Sequence, residues 1–148
     1  MRKRTVIGGL LAFVLGVGLP ATAEAGVGPV HHWGPVRSAA GHSGHATADV
    51  WITDFSAETF VVSGRLRDRD PHPGHCAYIR ARFHYSGGGT GWAQPRSTCE
   101  ASDGFRLSSD GEITRVDVKV CVLDRSRRTT SHCHVDAIRA EDIANWPR

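Results

Sequence analysis

The chain has 148 residues, with 18 Lys and Arg against 15 Asp and Glu, a net charge of +3 and a mean hydropathy of −0.28. That length suits one domain with one modest core. The charge is too small and too evenly balanced for a protein that grips nucleic acid by its phosphates.

Residues 1–25 read as a cleaved secretory signal. Arg2-Lys3-Arg4 is a basic start, Val6 to Leu19 is apolar, and Pro20 ends the run. Ala21-Thr22-Ala23 and Ala23-Glu24-Ala25 both offer the small-x-small pattern of signal peptidase. An apolar run of about 14 residues falls short of the roughly 20 that cross a bilayer. Cleavage is expected after Ala25, with Ala23 the nearest alternative. No cysteine near that point accepts a lipid and no second hydrophobic stretch follows, so a secreted, extracellular chain with no stable membrane anchor is expected. Cleavage removes three bases and one acid from 18 and 15, leaving 15 and 14 and a net charge of +1. Nucleic acid is therefore not an expected partner.

Residues 26–47 are rich in Gly, Pro, His and Ala, with no period of two or 3.6. They read as a flexible arm from which only Trp33 has the bulk to fold back. Residues 48–148 read as a β-sandwich domain. Asp49–Thr53 is a first short strand, and Thr59–Arg67 a second with Phe60, Val62 and Leu66 on one face. Asp68–His75, with two prolines and a glycine, is a turn. Ala77–Ser86 is a strand ending in Gly87-Gly88-Gly89. Its partner, Thr90–Ser97, is demoted to an edge or bulge by Pro95. Asp103-Gly104 and Asp110-Gly111 bracket Phe105-Arg106-Leu107. Ile113–Leu123 places valine at 116, 118, 120 and 122 and Arg115, Asp117 and Lys119 between them, the alternation of a strand with one buried face. His132–Val135 is a short last strand, and Ala137–Trp146 one or two helical turns with Ile138, Ile143 and Trp146 on one side. The fold class expected is all-β, a small antiparallel β-sandwich of six or seven short strands with a short C-terminal helical turn.

Four cysteines in an exported chain read as two disulfides. Cys76 and Cys121 both lie off the apolar face of their strands, on the wet side, so neither suits a bridge through the core. Local pairs Cys76–Cys99 and Cys121–Cys133 are preferred, each worth roughly 3 kcal/mol by loop entropy.

The segments Cys76-Ala77-Tyr78-Ile79-Arg80-Ala81-Arg82-Phe83 and Val116-Asp117-Val118-Lys119-Val120-Cys121 resemble a loose family of small secreted two-disulfide β-rich proteins of actinomycetes. Cys99 and Cys133 match that pattern's second and fourth cysteines. The resemblance covers about residues 48–135 and implies architecture, with no activity attached. The subtilisin-inhibitor family, also exported and two-disulfide, differs in cysteine spacing and in its protease-binding loop. Protease inhibition stays only as a remote alternative.

Nine histidines are the compositional oddity. Asp68, Asp70, His72 and His75 share one turn, and imidazole with carboxylate suits a transition metal. The competing reading is a solvated polar turn, favoured because the cysteines are oxidised and the spacing is looser than in structural zinc motifs. His132 and His134 flank Cys133 and would share a side of a regular strand. No nucleophile elbow or catalytic motif is present. Tyr78 and Arg80 lie on the wet face of their strand, and Trp92 follows a glycine-rich turn; these three are the candidate ligand-binding residues. The expectation is a secreted, non-catalytic binding or interaction module without cofactor, whose partner is an extracellular protein or glycan. The alternatives are a small secreted hydrolase and an extracellular metal-binding protein.

Overall fold

Val116, Val118 and Val120 are fully buried, and Arg115, Asp117 and Lys119 between them are not. In a computed structural model that describes residues 30–41 and 43–146, this strand is the spine of one of two sheets. The described residues form β1 (His31–Arg37), β2 (His45–Phe55), β3 (Thr59–Arg69), β4 (His75–Tyr85), β5 (Thr90–Trp92), β6 (Arg96–Thr98), β7 (Asp103–Asp110), β8 (Ile113–Asp124), β9 (Thr129–Arg139) and the helix α1 (Ala140–Ala144). One sheet runs β1-β2-β3-β7. The other runs β5-β4-β8-β9, with β6 also on β4. Every pairing is antiparallel.

The inner faces of the two sheets meet in one core. Val50, Ile52, Phe60, Val62 and Leu66 come from the first sheet, and Ile79, Phe83, Val116, Val118, Val120 and Ile138 from the second. Phe60 and Phe83 meet edge to face across the gap at 6.4 Å. Each such side chain adds about 1.5–3 kcal/mol by leaving water. The fold class is the one expected, a small antiparallel β-sandwich with two disulfides and a short C-terminal helix.

Its strand count is higher than the sequence suggested, and the extra strands have identifiable causes. Residues 31–37, read as part of a flexible arm at 26–47, pair with β2 as an edge strand, so the folded part starts before residue 48. The register slips between His32 and Gly34, and Gly34 takes φ +119°. This bulge breaks the alternation that would have marked a strand. Trp33, at the bulge, packs against the core and donates its Nε1–H to Asp136 Oδ2 at 2.9 Å. The Thr90–Ser97 partner splits into β5 and β6 around Pro95, and both pair with β4. The last strand is longer than His132–Val135, running from Thr129 to Arg139. Ile138 belongs to it, so the helical part is only Ala140–Ala144. The proposed signal at 1–25 lies outside the described residues.

Both expected disulfides are present, Cys76–Cys99 and Cys121–Cys133. One detail differs. Cys76 and Cys121 point to the outer side of their sheet by parity, yet they are almost fully buried. The register explains it: Cys121 lies opposite Tyr78 on β4, and on β9 a bulge between Ser131 and His134 brings Cys133 against it. His132 takes φ +53° in that bulge, so His132 and His134 do not share a regular strand face.

The sandwich is closed along one side. Trp33 bonds to Asp136, Ala39 N–H donates to the His132 carbonyl at 2.8 Å, and Trp146 packs on Trp33 and His31. On the opposite side β7 and β6 leave a cleft of about 500 Å³ lined by Leu66, Arg96, Phe105 and Arg106.

Candidate functional site

The outer face of the second sheet carries Tyr78, Arg80, Arg82 and His84 from β4, and Arg115, Asp117 and Lys119 from β8. Alternation forces this, because Ile79, Ala81 and Phe83 take the core side. Register then sets the neighbours. Arg82 lies opposite Trp92 on one side and Asp117 on the other, and Arg80 lies directly opposite Lys119. Two like charges facing each other across a ladder oppose folding.

The two guanidinium groups are fixed in place but not neutralised. That of Arg80 lies 4.4 Å from the centre of the Trp92 ring, and its Nε–H donates to the Ala93 carbonyl at 3.4 Å. That of Arg82 lies 5.6 Å from the same ring and donates twice to Thr90 Oγ1, at 3.2 Å each. Both acceptors are uncharged. Among the described residues, neither arginine nor Lys119 has a carboxylate within ion-pair distance. Trp92 is 46 % exposed and Val135, opposite Lys119 on β9, is 51 % exposed.

The acid on this face is already committed. Asp117 accepts from Arg115 Nε at 2.7 Å and Nη2 at 2.9 Å, and from His84 Nε2 at 2.7 Å. Burial pushes its carboxyl up, but the bonds from Arg115 and His84 outweigh burial and hold it below the ordinary aspartate range. A carboxylate with three donors has little negative charge left to cancel Arg82 beside it.

The Asp68–His75 turn forms a second cluster. Asp68 Oδ1 accepts the Asp70 N–H, Asp70 Oδ1 accepts the His72 N–H, and His72 Nδ1 accepts the Gly74 N–H. Each side chain closes the turn two residues ahead. Asp70 Oδ2 then accepts from His75 Nδ1 at 2.8 Å and from Ser43 Oγ at 2.9 Å, and the His72 and His75 rings stack at 4.2 Å. Burial raises the Asp70 carboxyl, and the bonds from His72, Ser43 and His75 more than offset it, leaving the group below its ordinary range. Asp68 is raised, by burial.

The four residues read as metal ligands therefore share one cleft of about 440 Å³, but both oxygens of Asp70, one oxygen of Asp68 and the Nδ1 atoms of His72 and His75 are spent on hydrogen bonds around the turn. A neutral His72 that accepts at Nδ1 carries its proton on Nε2 and has no lone pair to offer there. Among the described residues, no group of three or more His, Cys, Asp or Glu is arranged to hold a metal ion. Ser43, His75 and Asp70 also meet, but Ser43 Oγ is 3.2 Å from Nδ1, the same nitrogen that binds Asp70. In a catalytic triad the serine sits on the other ring nitrogen.

On the first sheet His32 donates to Asp49 Oδ1 at 2.7 Å and stacks on Trp51 at 4.2 Å. Of the three expected ligand residues, Arg80 and Trp92 are in direct contact, and Tyr78 lies half-buried two residues along β4. Sequence reading missed Arg82, whose place beside Arg80 follows from parity alone. It also missed Lys119, whose place beside Arg80 needs the β4–β8 register.

No protein-family model, curated protein or solved structure matches the chain. Among the described residues, no helix is long and apolar enough to cross a membrane.

Proposed function

We propose that the protein is a non-catalytic extracellular binding module, and that it works through the outer face of the β5-β4-β8-β9 sheet. One observation carries this reading. Arg80 and Arg82 are positioned by an indole, a carbonyl and a hydroxyl, and Lys119 lies opposite Arg80 in the ladder, yet among the described residues none of the three has an ion-paired acid. Such an arrangement costs stability, and an anionic partner recovers the cost. Two disulfides in a chain with an expected secretory signal support action outside the cell.

The test compares two triple variants of equal charge change. Arg80→Gln/Arg82→Gln/Lys119→Gln alters the proposed face, and Arg65→Gln/Arg67→Gln/Arg106→Gln alters the first sheet and its edge. Binding to a panel of extracellular polymers and proteins should drop at least tenfold in the first and hold in the second. Equal loss in both refutes the face. Ester or glycoside hydrolysis abolished by His75→Gln would replace the binding reading with an enzyme, with His75 Nε2 as base and Asp70 behind it.

A further inference from the structure

Resting on that reading, we infer that the partner is an acidic glycan: a linear sugar polymer bearing repeated carboxylate or sulfate groups. The inference starts from what the two arginines can still do. With Nε of Arg80 on the Ala93 carbonyl and its guanidinium carbon 4.4 Å from the centre of the Trp92 ring, its terminal N–H groups form a fork that has no hydrogen-bond partner among the described residues. A fork of this kind matches the two oxygens of a carboxylate or sulfate. Holding it still beforehand removes most of the ordering cost of binding.

The spacing suits a polymer rather than a single small anion. Arg80 and Arg82 are two residues apart on one strand, so their backbones are about 7 Å apart. Lys119 sits one strand over from Arg80, about 5 Å away. Three cations spread over a flat sheet face engage anionic groups on successive units. A site for one small ion would instead converge them in a pocket, and the clefts at Leu66–Arg106, at the Asp68–His75 turn and at Arg115–Arg139 are lined by none of the three.

The surroundings favour sugar over the other polyanions. Trp92 leaves nearly half of its surface in water beside the forks, and an indole takes the C–H face of a pyranose. Tyr78 and, opposite it on β6, Ser97 add hydroxyls on the same side. A lipid surface would ask for a contiguous apolar patch. The large exposed apolar residues of this face are Trp92 and Val135, on strands at its two ends. Duplex nucleic acid would ask for a longer cationic track than three residues.

The experiment uses the purified protein in calorimetric titrations with alginate (carboxylate), dextran sulfate (sulfate) and neutral dextran, at about 50 and 300 mM salt. Alginate or dextran sulfate should bind, neutral dextran should not, and the higher salt should weaken binding at least fivefold. Arg80→Gln and Arg82→Gln should each weaken it about tenfold, and Trp92→Ala should weaken it at both salt concentrations. Arg65→Gln should leave it unchanged, and circular dichroism should show every variant folded. If alginate binds and dextran sulfate does not, or the reverse, the source of the anionic group is settled and the inference stands. If duplex DNA or phosphatidylglycerol vesicles bind through Arg80 and Arg82 while both acidic glycans fail, the glycan is wrong and the face is right. If no polyanion binds, both fall.

Discussion

Asp117 shows how much one side chain decides on this surface. It accepts hydrogen bonds from Arg115 and His84, and it faces Arg82 across the β4–β8 ladder. Replacing it by asparagine releases those two groups without changing shape. Asp117→Asn is expected to raise affinity for an acidic polymer several-fold at low salt, with the gain fading at high salt. It should also lower stability modestly, since Arg115 and His84 lose the carboxylate that accepts from them while Arg115 stays solvated; a lower urea midpoint measures this. A pH dependence follows from the same chemistry. Asp49, Asp70, Asp117 and Asp124 are all held below the ordinary value of 3.8. Each therefore contributes stability that is fully present above that value and is lost as pH falls through its lower folded value. Asp68, raised by burial, runs the other way and returns part of the loss. Melting temperature should be level down to about pH 5 and fall below about pH 4, less steeply in Asp117→Asn.

Among elements, β1 separates what local pattern can show from what it cannot. The valines of β8 and the alternation in β4 are visible in any ten-residue window, because the sheet face they build is local. β1 is hidden because Gly34 and Pro35 interrupt it and a bulge turns Trp33 inward. An edge strand tolerates a proline that a central strand would not. Its evidence is tertiary: a partner 103 residues away at Asp136. The candidate face divides in the same way. Tyr78, Arg80 and Trp92 could be named from parity and a glycine-rich turn. Lys119 needed the pairing of two strands distant in sequence, and Ser43 at Asp70 needed a loop folded back onto a turn. Trp33→Ala removes both the packing on Trp146 and the bond to Asp136. It is expected to cost about 2–3 kcal/mol, because Trp33 is only half-buried, and to expose β1 amides to rapid hydrogen exchange. Protection unchanged in that variant would mean that β1 does not depend on its tryptophan.

Across the whole molecule, the two sides of the sandwich are unequal. Tryptophans, a half-buried hydrogen bond and the helix close the β1–β9 side, while β6 and β7 remain apart over an open cleft. Charge is unequal too. Acids and histidines pair at Asp49, Asp70 and Asp117, whereas Arg80, Arg82 and Lys119 stand together on one outer face. A chain of nearly balanced composition thus presents a local surplus, which summed charge does not reveal.

The Cys121–Cys133 bridge has a consequence for survival among proteases. The β8–β9 connection, Arg125-Ser126-Arg127-Arg128, is exposed throughout and offers three arginines to a trypsin-like enzyme. The bridge spans that connection, so a cut there opens the chain without releasing the piece that follows. Nicked protein should run as one band without reductant and as two with it. The C-terminal fragment, with all of β9, α1 and the tryptophan that covers Trp33, would stay seated, and the face on β4 and β8 would outlast the cut.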